Sequence, residues 1–201
     1  MVVKGYFVQY KFMVPENMKH SSYTYQKLFR ALYGYTQAVF KSSGKNYHYH
    51  REGVLSSSPY VRPGKNCVII PPEVFQRLID FFKTGKNPAH AWRGKGDWKA
   101  VYYMNEKDLD EKKVATALEE LLERKFALTT ANEHEKLVDE IALAAGKDGG
   151  RAADQAYVST LLNQAIQITN SEWFKAAYLH SDPLKSFYTN YKLLKTRQKS
   201  L

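Results

Sequence analysis

The sequence is poor in cysteine: Cys67 is the single one among 201 residues. One thiol forms no disulfide within the chain and builds no cysteine zinc site, which indicates a reducing compartment. Cys67 begins the apolar run Cys-Val-Ile-Ile, which predicts a buried strand. We therefore interpret it as a small core residue and not as a catalytic thiol.

Long apolar runs are also missing. No segment approaches the roughly 20 apolar residues that a membrane-spanning helix needs, and the N-terminus lacks the basic and apolar regions of a signal peptide. We therefore expect an intracellular, cytoplasmic protein without a membrane partner. The sequence contains neither a P-loop nor a dinucleotide fingerprint, and we predict no cofactor and no resident metal.

Acidic residues are scarce in the first half of the chain. Residues 1–100 contain 16 lysines and arginines but 5 aspartates and glutamates, whereas residues 101–184 contain 9 and 15. Residues 185–201 contain 5 cations and no acid, and the whole chain carries a net charge of +10. Such segregated positive charge attracts polyanions, so the composition favours a nucleic-acid partner.

Hydrophobic periodicity divides the chain into an α+β part and a helical part. Strands are predicted at 2–13, 46–52, 67–70 and 99–104, and helices from Ser21 or Ser22 to about Lys41 and from Pro72 to Gly85. This β-α-β-β-α-β order is that of ferredoxin-like domains. We predict a nucleic-acid-binding domain at 1–105, followed by a helical region at 106–201 that packs on it and ends in a basic tail.

The second predicted strand holds the densest group of aromatic, basic and titratable side chains. Alternation places Tyr47, Tyr49 and Arg51 on one side and His48 and His50 on the other. Aromatic rings on an open sheet surface stack nucleic-acid bases, and a neighbouring guanidinium binds phosphate. The alternative is that the tyrosines pack inward and the histidines are solvated.

Two further segments extend this predicted interface. The Gly-rich loop 83–99 carries Lys86, Trp92, Arg93 and Lys95, and its glycines let the backbone approach a phosphate closely. An ordinary surface loop anchored by buried tryptophans is the alternative.

Residues 4–10 resemble the ribonucleoprotein signature of RNA-recognition motifs, although its small residue is missing here. This resemblance implies only that aromatic residues, Tyr6 among them, lie beside a cation on an exposed face.

We predict a non-enzymatic protein that binds nucleic acid, RNA or DNA. Single strands are favoured because aromatic residues are interleaved with the cations, whereas a duplex binder needs only phosphate contacts. The predicted interface consists of Tyr6, Lys45, Tyr47, Tyr49, Arg51, Arg62, Lys86, Trp92, Arg93 and Lys95.

Two alternatives stay open at this point. A metal-independent nuclease would use His48 and His50 as acid and base in RNA cleavage, with Tyr49 or Lys45 stabilising the phosphorane. The same His-X-His pair suits a metal, but the spacing supplies no third ligand. A structural subunit of a ribonucleoprotein or replication complex would instead use 106–201 for a protein partner or for self-association.

Overall fold

The computed structural model describes residues 2–40, 46–86, 97–127, 134–146 and 154–199. At 46–49, 125–127, 134 and 199 it describes only the backbone. They form two compact units. One spans Lys4–Leu109, and the other spans Asp110–Leu201 together with the first three residues. Helices and an antiparallel sheet are both present, so the predicted α+β class is confirmed.

The first unit contains six strands and two helices. In chain order they are β1 (Val2–Met13), α1 (Tyr23–Tyr33), β2 (Tyr35–Phe40), β3 (Asn46–Arg51), β4 (Val61–Gly64), β5 (Cys67–Ile70), α2 (Pro72–Thr84) and β6 (Lys99–Asp110). Four of the strands form a sheet with the order β4-β5-β1-β6. Strands β1 and β5 pair antiparallel, as do β4 and β5. A separate two-stranded hairpin, β2–β3, follows the first helix.

One face of this sheet is covered by α1 and α2. Alternation along β1 buries Val8, Tyr10 and Phe12 on that face, where they meet Leu32 of α1 and Phe82 of α2 in one apolar core. Because each of these side chains is almost fully removed from water, this core supplies most of the driving force for folding of the unit.

Helix α1 is shorter than the sequence predicts. It starts at an N-cap in which the Ser22 hydroxyl accepts a hydrogen bond from the Tyr25 N–H at 3.2 Å. The prediction that it runs to about Lys41 is wrong, because the helix ends at Tyr33 and Gly34 adopts a positive φ of 78°. Residues 35–40, Tyr-Thr-Gln-Ala-Val-Phe, are then free to form a strand, which their β-branched and aromatic side chains favour.

The strand predicted at 46–52 has a different partner from the one expected. It forms β3, which pairs with β2 in the separate hairpin, with Tyr35 opposite Arg51 and Phe40 opposite Asn46. The neighbour of β5 in the main sheet is instead β4. The Pro-Gly sequence of β4 predicts a turn, and for this reason no strand was predicted there.

The C-terminal end of α1 is capped by the segment that follows the hairpin. The last four carbonyls of an α-helix have no partner within the helix. Here each one accepts a hydrogen bond at 2.8–3.1 Å. The pairs are Gly34 N–H to Arg30, Val54 N–H to Ala31, Leu55 N–H to Leu32 and the Ser56 hydroxyl to Tyr33.

Two glycines allow this close approach of the two chain segments. A Cβ at Gly53 would lie 2.2 Å from the Gly34 nitrogen and 2.7 Å from the Leu32 oxygen. A Cβ at Gly34 would lie 2.4 Å from the Ser56 hydroxyl oxygen. Both ends of the hairpin are therefore fixed against the end of α1 by backbone contacts that admit no side chain.

The second unit is mainly helical. Its core contains the fully buried Trp173 with Phe174 and Phe187. A short hairpin, β7–β8, was not predicted from the sequence. The elements are α3 (Glu111–Leu122), β7 (Lys125–Ala127), β8 (His134–Lys136), α4 (Leu137–Ala145), α5 (Gln155–Thr169), α6 (Glu172–Ala177), a 3₁₀ turn (Tyr178–His180) and α7 (Asp182–Lys199). Among the residues described, no helix has the length and apolar character needed to cross a membrane.

Replacing Gly53 by alanine is expected to lower the free energy of unfolding by about 2–3 kcal/mol, because the new methyl group overlaps backbone atoms that have no space to move. Urea unfolding followed by circular dichroism measures this change. Gly64→Ala is the matched control, since a Cβ there meets nothing within 4 Å, and its effect should stay within about 0.5 kcal/mol. Equal stabilities of the two variants would contradict the close-approach argument.

Candidate nucleic-acid interface

The outward face of α1 and the start of the hairpin form a basic and aromatic surface. Tyr23, Lys27 and Arg30 follow at helical spacing and therefore share one side of α1. The Arg30 guanidinium carbon lies 5.3 Å from the ring centre of Tyr23 and 4.9 Å from that of Tyr35. The Lys27 ammonium lies 5.0 Å from the Tyr23 ring. With Arg51, which pairs opposite Tyr35, these residues are called the α1–hairpin patch.

The segment that contains the α1–hairpin patch carries positive charge and no acidic residue. No aspartate or glutamate occurs between Glu16 and Glu52, a segment that includes α1 and the hairpin. The cations contact aromatic rings, and such contacts hold a charged group in place without neutralising it. Tyr23 remains 57% exposed, so its ring is open to a further stacking partner.

The hairpin itself is accessible to solvent on both faces of β2. Thr36, Gln37 and Ala38 are consecutive and all exposed, and Phe40 at its end is 77% exposed. A strand that exposes consecutive positions is covered on neither face. The hairpin therefore extends the patch outward from the end of α1.

A tyrosine cluster lies beneath another exposed cation. The Arg62 guanidinium carbon lies 4.5 Å from the centre of the Tyr33 ring, and the Tyr60 ring lies 5.4 Å from that of Tyr33. The hydroxyls of Tyr10 and Tyr33 are hydrogen-bonded at 2.8 Å. Burial raises the pKa of both Tyr10 and Tyr33 above the ordinary value for tyrosine. Both phenols are therefore protonated near neutral pH and serve a structural role.

The predicted site residues that the structure describes differ in their exposure to solvent. Arg51 and Arg62 are exposed, as a phosphate-binding role requires. Tyr6 was predicted to stack bases on an open face, but its ring packs 4.5 Å from that of Phe75 of α2, on the helix-covered face. The even-numbered positions from Tyr6 to Phe12 point towards the helices, so Tyr6 does not belong to an open surface. Lys86 is exposed but lines a groove together with the acidic Asp80.

Other predicted residues are only partly described. At Tyr47 and Tyr49 the backbone pairs with Val39 and Gln37 of β2; their side chains lie outside the described residues. Four further predicted residues lie wholly outside them: Lys45, Trp92, Arg93 and Lys95. For these six residues the predicted nucleic-acid contacts stay predictions.

The nuclease hypothesis gains no support from the described residues. His48 and His50 pair opposite Ala38 and Thr36 in the hairpin, and the side chain of His48 lies outside the described part. His50 is half-buried. Within that part no group of three His, Cys, Asp or Glu residues is placed to hold a metal ion. Histidine-based cleavage therefore stays a prediction.

Four residues of the α1–hairpin patch were missed by the predicted interface. Tyr23, Lys27 and Arg30 are absent from the predicted interface, although their helical spacing is visible in the sequence. Tyr35 was missed for another reason: it was placed inside the helix. Only the end of α1 at Gly34 brings its ring onto Arg30.

Comparison with protein-family models, with curated proteins and with solved structures finds no match for this chain. Its function is therefore argued from the geometry and charge of the α1–hairpin patch.

Stability at high pH is expected to depend on Tyr10. Because its pKa is raised in the folded state, its contribution is complete below the unfolded-state value of about 10 and is lost as the pH rises above it. Tyr10→Phe should make the alkaline decline in unfolding free energy shallower by up to about 1.4 kcal/mol per pH unit. Urea unfolding at several pH values from neutral to strongly alkaline measures it.

Tyr23→Phe is the control for this measurement, since Tyr23 is exposed. It should retain the wild-type decline. If the unfolding free energy of Tyr10→Phe fell as steeply at alkaline pH as that of the wild type, burial of the Tyr10 hydroxyl would not be the cause of the alkaline decline.

Proposed function

We propose that this protein binds single-stranded nucleic acid through the α1–hairpin patch. The observation that carries the proposal is the Arg30 guanidinium held between the rings of Tyr23 and Tyr35, in a segment without acidic residues. Guanidinium and ammonium groups bind phosphates, and exposed tyrosine rings stack bases. A flexible single strand can contact both kinds of group, because its phosphates and its unstacked bases are accessible.

Single strands are favoured over duplexes for a physical reason. In a duplex the bases are stacked on each other, so a protein surface needs only cations to hold the backbone. The α1–hairpin patch instead intersperses its cations with rings, and Tyr23 is 57% exposed. Unstacked bases occupy such ring faces at a gain of about 1–3 kcal/mol each.

We further propose that the first unit has a ferredoxin-like fold, which the order of its elements supports. If the β2–β3 hairpin is treated as an insertion, the order becomes strand, helix, strand, strand, helix, strand. Its sheet order is β4-β5-β1-β6, and the two helices cover one face. The proposed nucleic-acid-binding region is then the first unit, Lys4–Leu109, and a protein partner for 106–201 stays a prediction.

The double substitution Lys27→Gln/Arg30→Gln is expected to weaken binding to a fluorescent oligothymidylate. It should also reduce the slope of log K against log salt by about 1.4, because each phosphate contact in a single strand contributes about 0.7. Fluorescence anisotropy titrations at several salt concentrations measure both quantities.

Lys112→Gln/Lys113→Gln is the matched control. It removes the same charge from exposed positions with acidic neighbours, Asp110 and Glu111. Its salt slope should stay close to that of the wild type. Equal slopes for the two double variants would show that charge in general, and not the α1–hairpin patch, attracts the nucleic acid.

A further inference from the structure

The second face of the four-stranded sheet is open over part of its area. Along β1, Gln9, Lys11 and Met13 are exposed, and they alternate with the buried Tyr10 and Phe12 of the helix-covered face. Gln9 pairs opposite Cys67 of β5, so the partly exposed thiol lies on the same open face.

The neighbouring strand β6 adds to this open face. Strands β1 and β6 run antiparallel, since Lys4 forms an ion pair with Asp108 at one end and Phe12 contacts Trp98 at the other. Tyr102 packs towards Phe82 on the helix-covered face, with 5.3 Å between ring centres. The odd positions of β6 therefore lie on the open side.

The side chains at those odd positions are unusually apolar for an exposed surface. Val101 is 61% exposed and Tyr103 is 62% exposed, although both are large hydrophobic residues. Lys99 on the same strand and Lys11 on β1 are exposed cations of this face. Adjacent exposed apolar residues bordered by polar ones are typical of a binding surface.

We infer that this open face is a second contact for the same single-stranded nucleic acid, with Tyr103 as the ring on which a base stacks; the inference rests on the proposed function. Lys11 and Lys99 hold the adjacent phosphates, and Val101 and Met13 contact the sugar and base edges. The open face of residues Gln9, Lys11, Met13, Lys99, Val101 and Tyr103 is called the sheet surface.

Charge decides between a nucleic acid and a protein as the occupant. Residues 9–13 and 99–104 contain two lysines and no acidic residue. The acidic residues of β6, which are Glu106, Asp108 and Asp110, lie at its other end, where Asp108 is paired with Lys4. The sheet surface thus combines an exposed ring with two lysines, which complements the bases and phosphates of a single strand.

The test compares Tyr103→Ala with Tyr103→Phe in the full chain, using an oligothymidylate and an abasic strand of the same length. Tyr103→Ala should weaken oligothymidylate binding by a factor between about 5 and 150, the range for loss of one stacked base. Tyr103→Phe should bind as the wild type does, because the ring remains. On the abasic strand all three proteins should bind equally.

The outcomes separate this inference from the proposed function. If wild-type protein binds neither strand, both are overturned. If it binds and Tyr103→Ala binds equally well, or if Tyr103→Ala weakens binding to both strands alike, only the stacking role of the sheet surface is overturned. Light scattering gives a further check: a wild-type dimer that Tyr103→Ala converts to a monomer would show that a second copy covers this face.

Discussion

The first unit depends on how the end of α1 is capped. All four terminal carbonyls of the helix receive donors, from Gly34 and from the segment Val54 to Ser56. A helix end near a core needs such partners, since an unpaired buried carbonyl costs about 1–3 kcal/mol. The donors come from both sides of the hairpin, so one set of hydrogen bonds ends the helix, fixes the base of the hairpin and places Tyr35 on Arg30.

This constraint also explains where the charge is displayed. The hairpin is held at its base by backbone contacts at Gly34 and Gly53, and four side chains of β2 are exposed: Thr36, Gln37, Ala38 and Phe40. The core on the other side of α1 is built from apolar and aromatic side chains, and the Tyr10 hydroxyl within it is hydrogen-bonded to that of Tyr33. The α1–hairpin patch and the sheet surface each display cations beside an exposed ring, where a polyanion can reach them.

Many residues of the candidate site could be identified from the sequence, but their arrangement in space could not. The acid-free segment and the helical spacing of Tyr23, Lys27 and Arg30 are plain sequence features. Tyr6 shows the limit of such reasoning. Alternation correctly groups Tyr6 with Val8 and Tyr10, but it does not say which face the helices cover, and the structure places Phe75 of α2 against the Tyr6 ring.

The sequence by itself determined the α+β class, the strands β1 and β5, the helix α2 from Pro72 and the separation of basic from acidic halves. These follow from local periodicity, capping residues and composition, which act over a few residues. Only the tertiary structure decided that β3 pairs with β2 and that β4 joins β5. Both pairings are local hairpins, with Phe40 opposite Asn46 and Gly64 opposite Cys67. The strand β2 is available for pairing only because α1 ends before it, and that helix end is capped by Val54 and Leu55, which are distant from it in sequence.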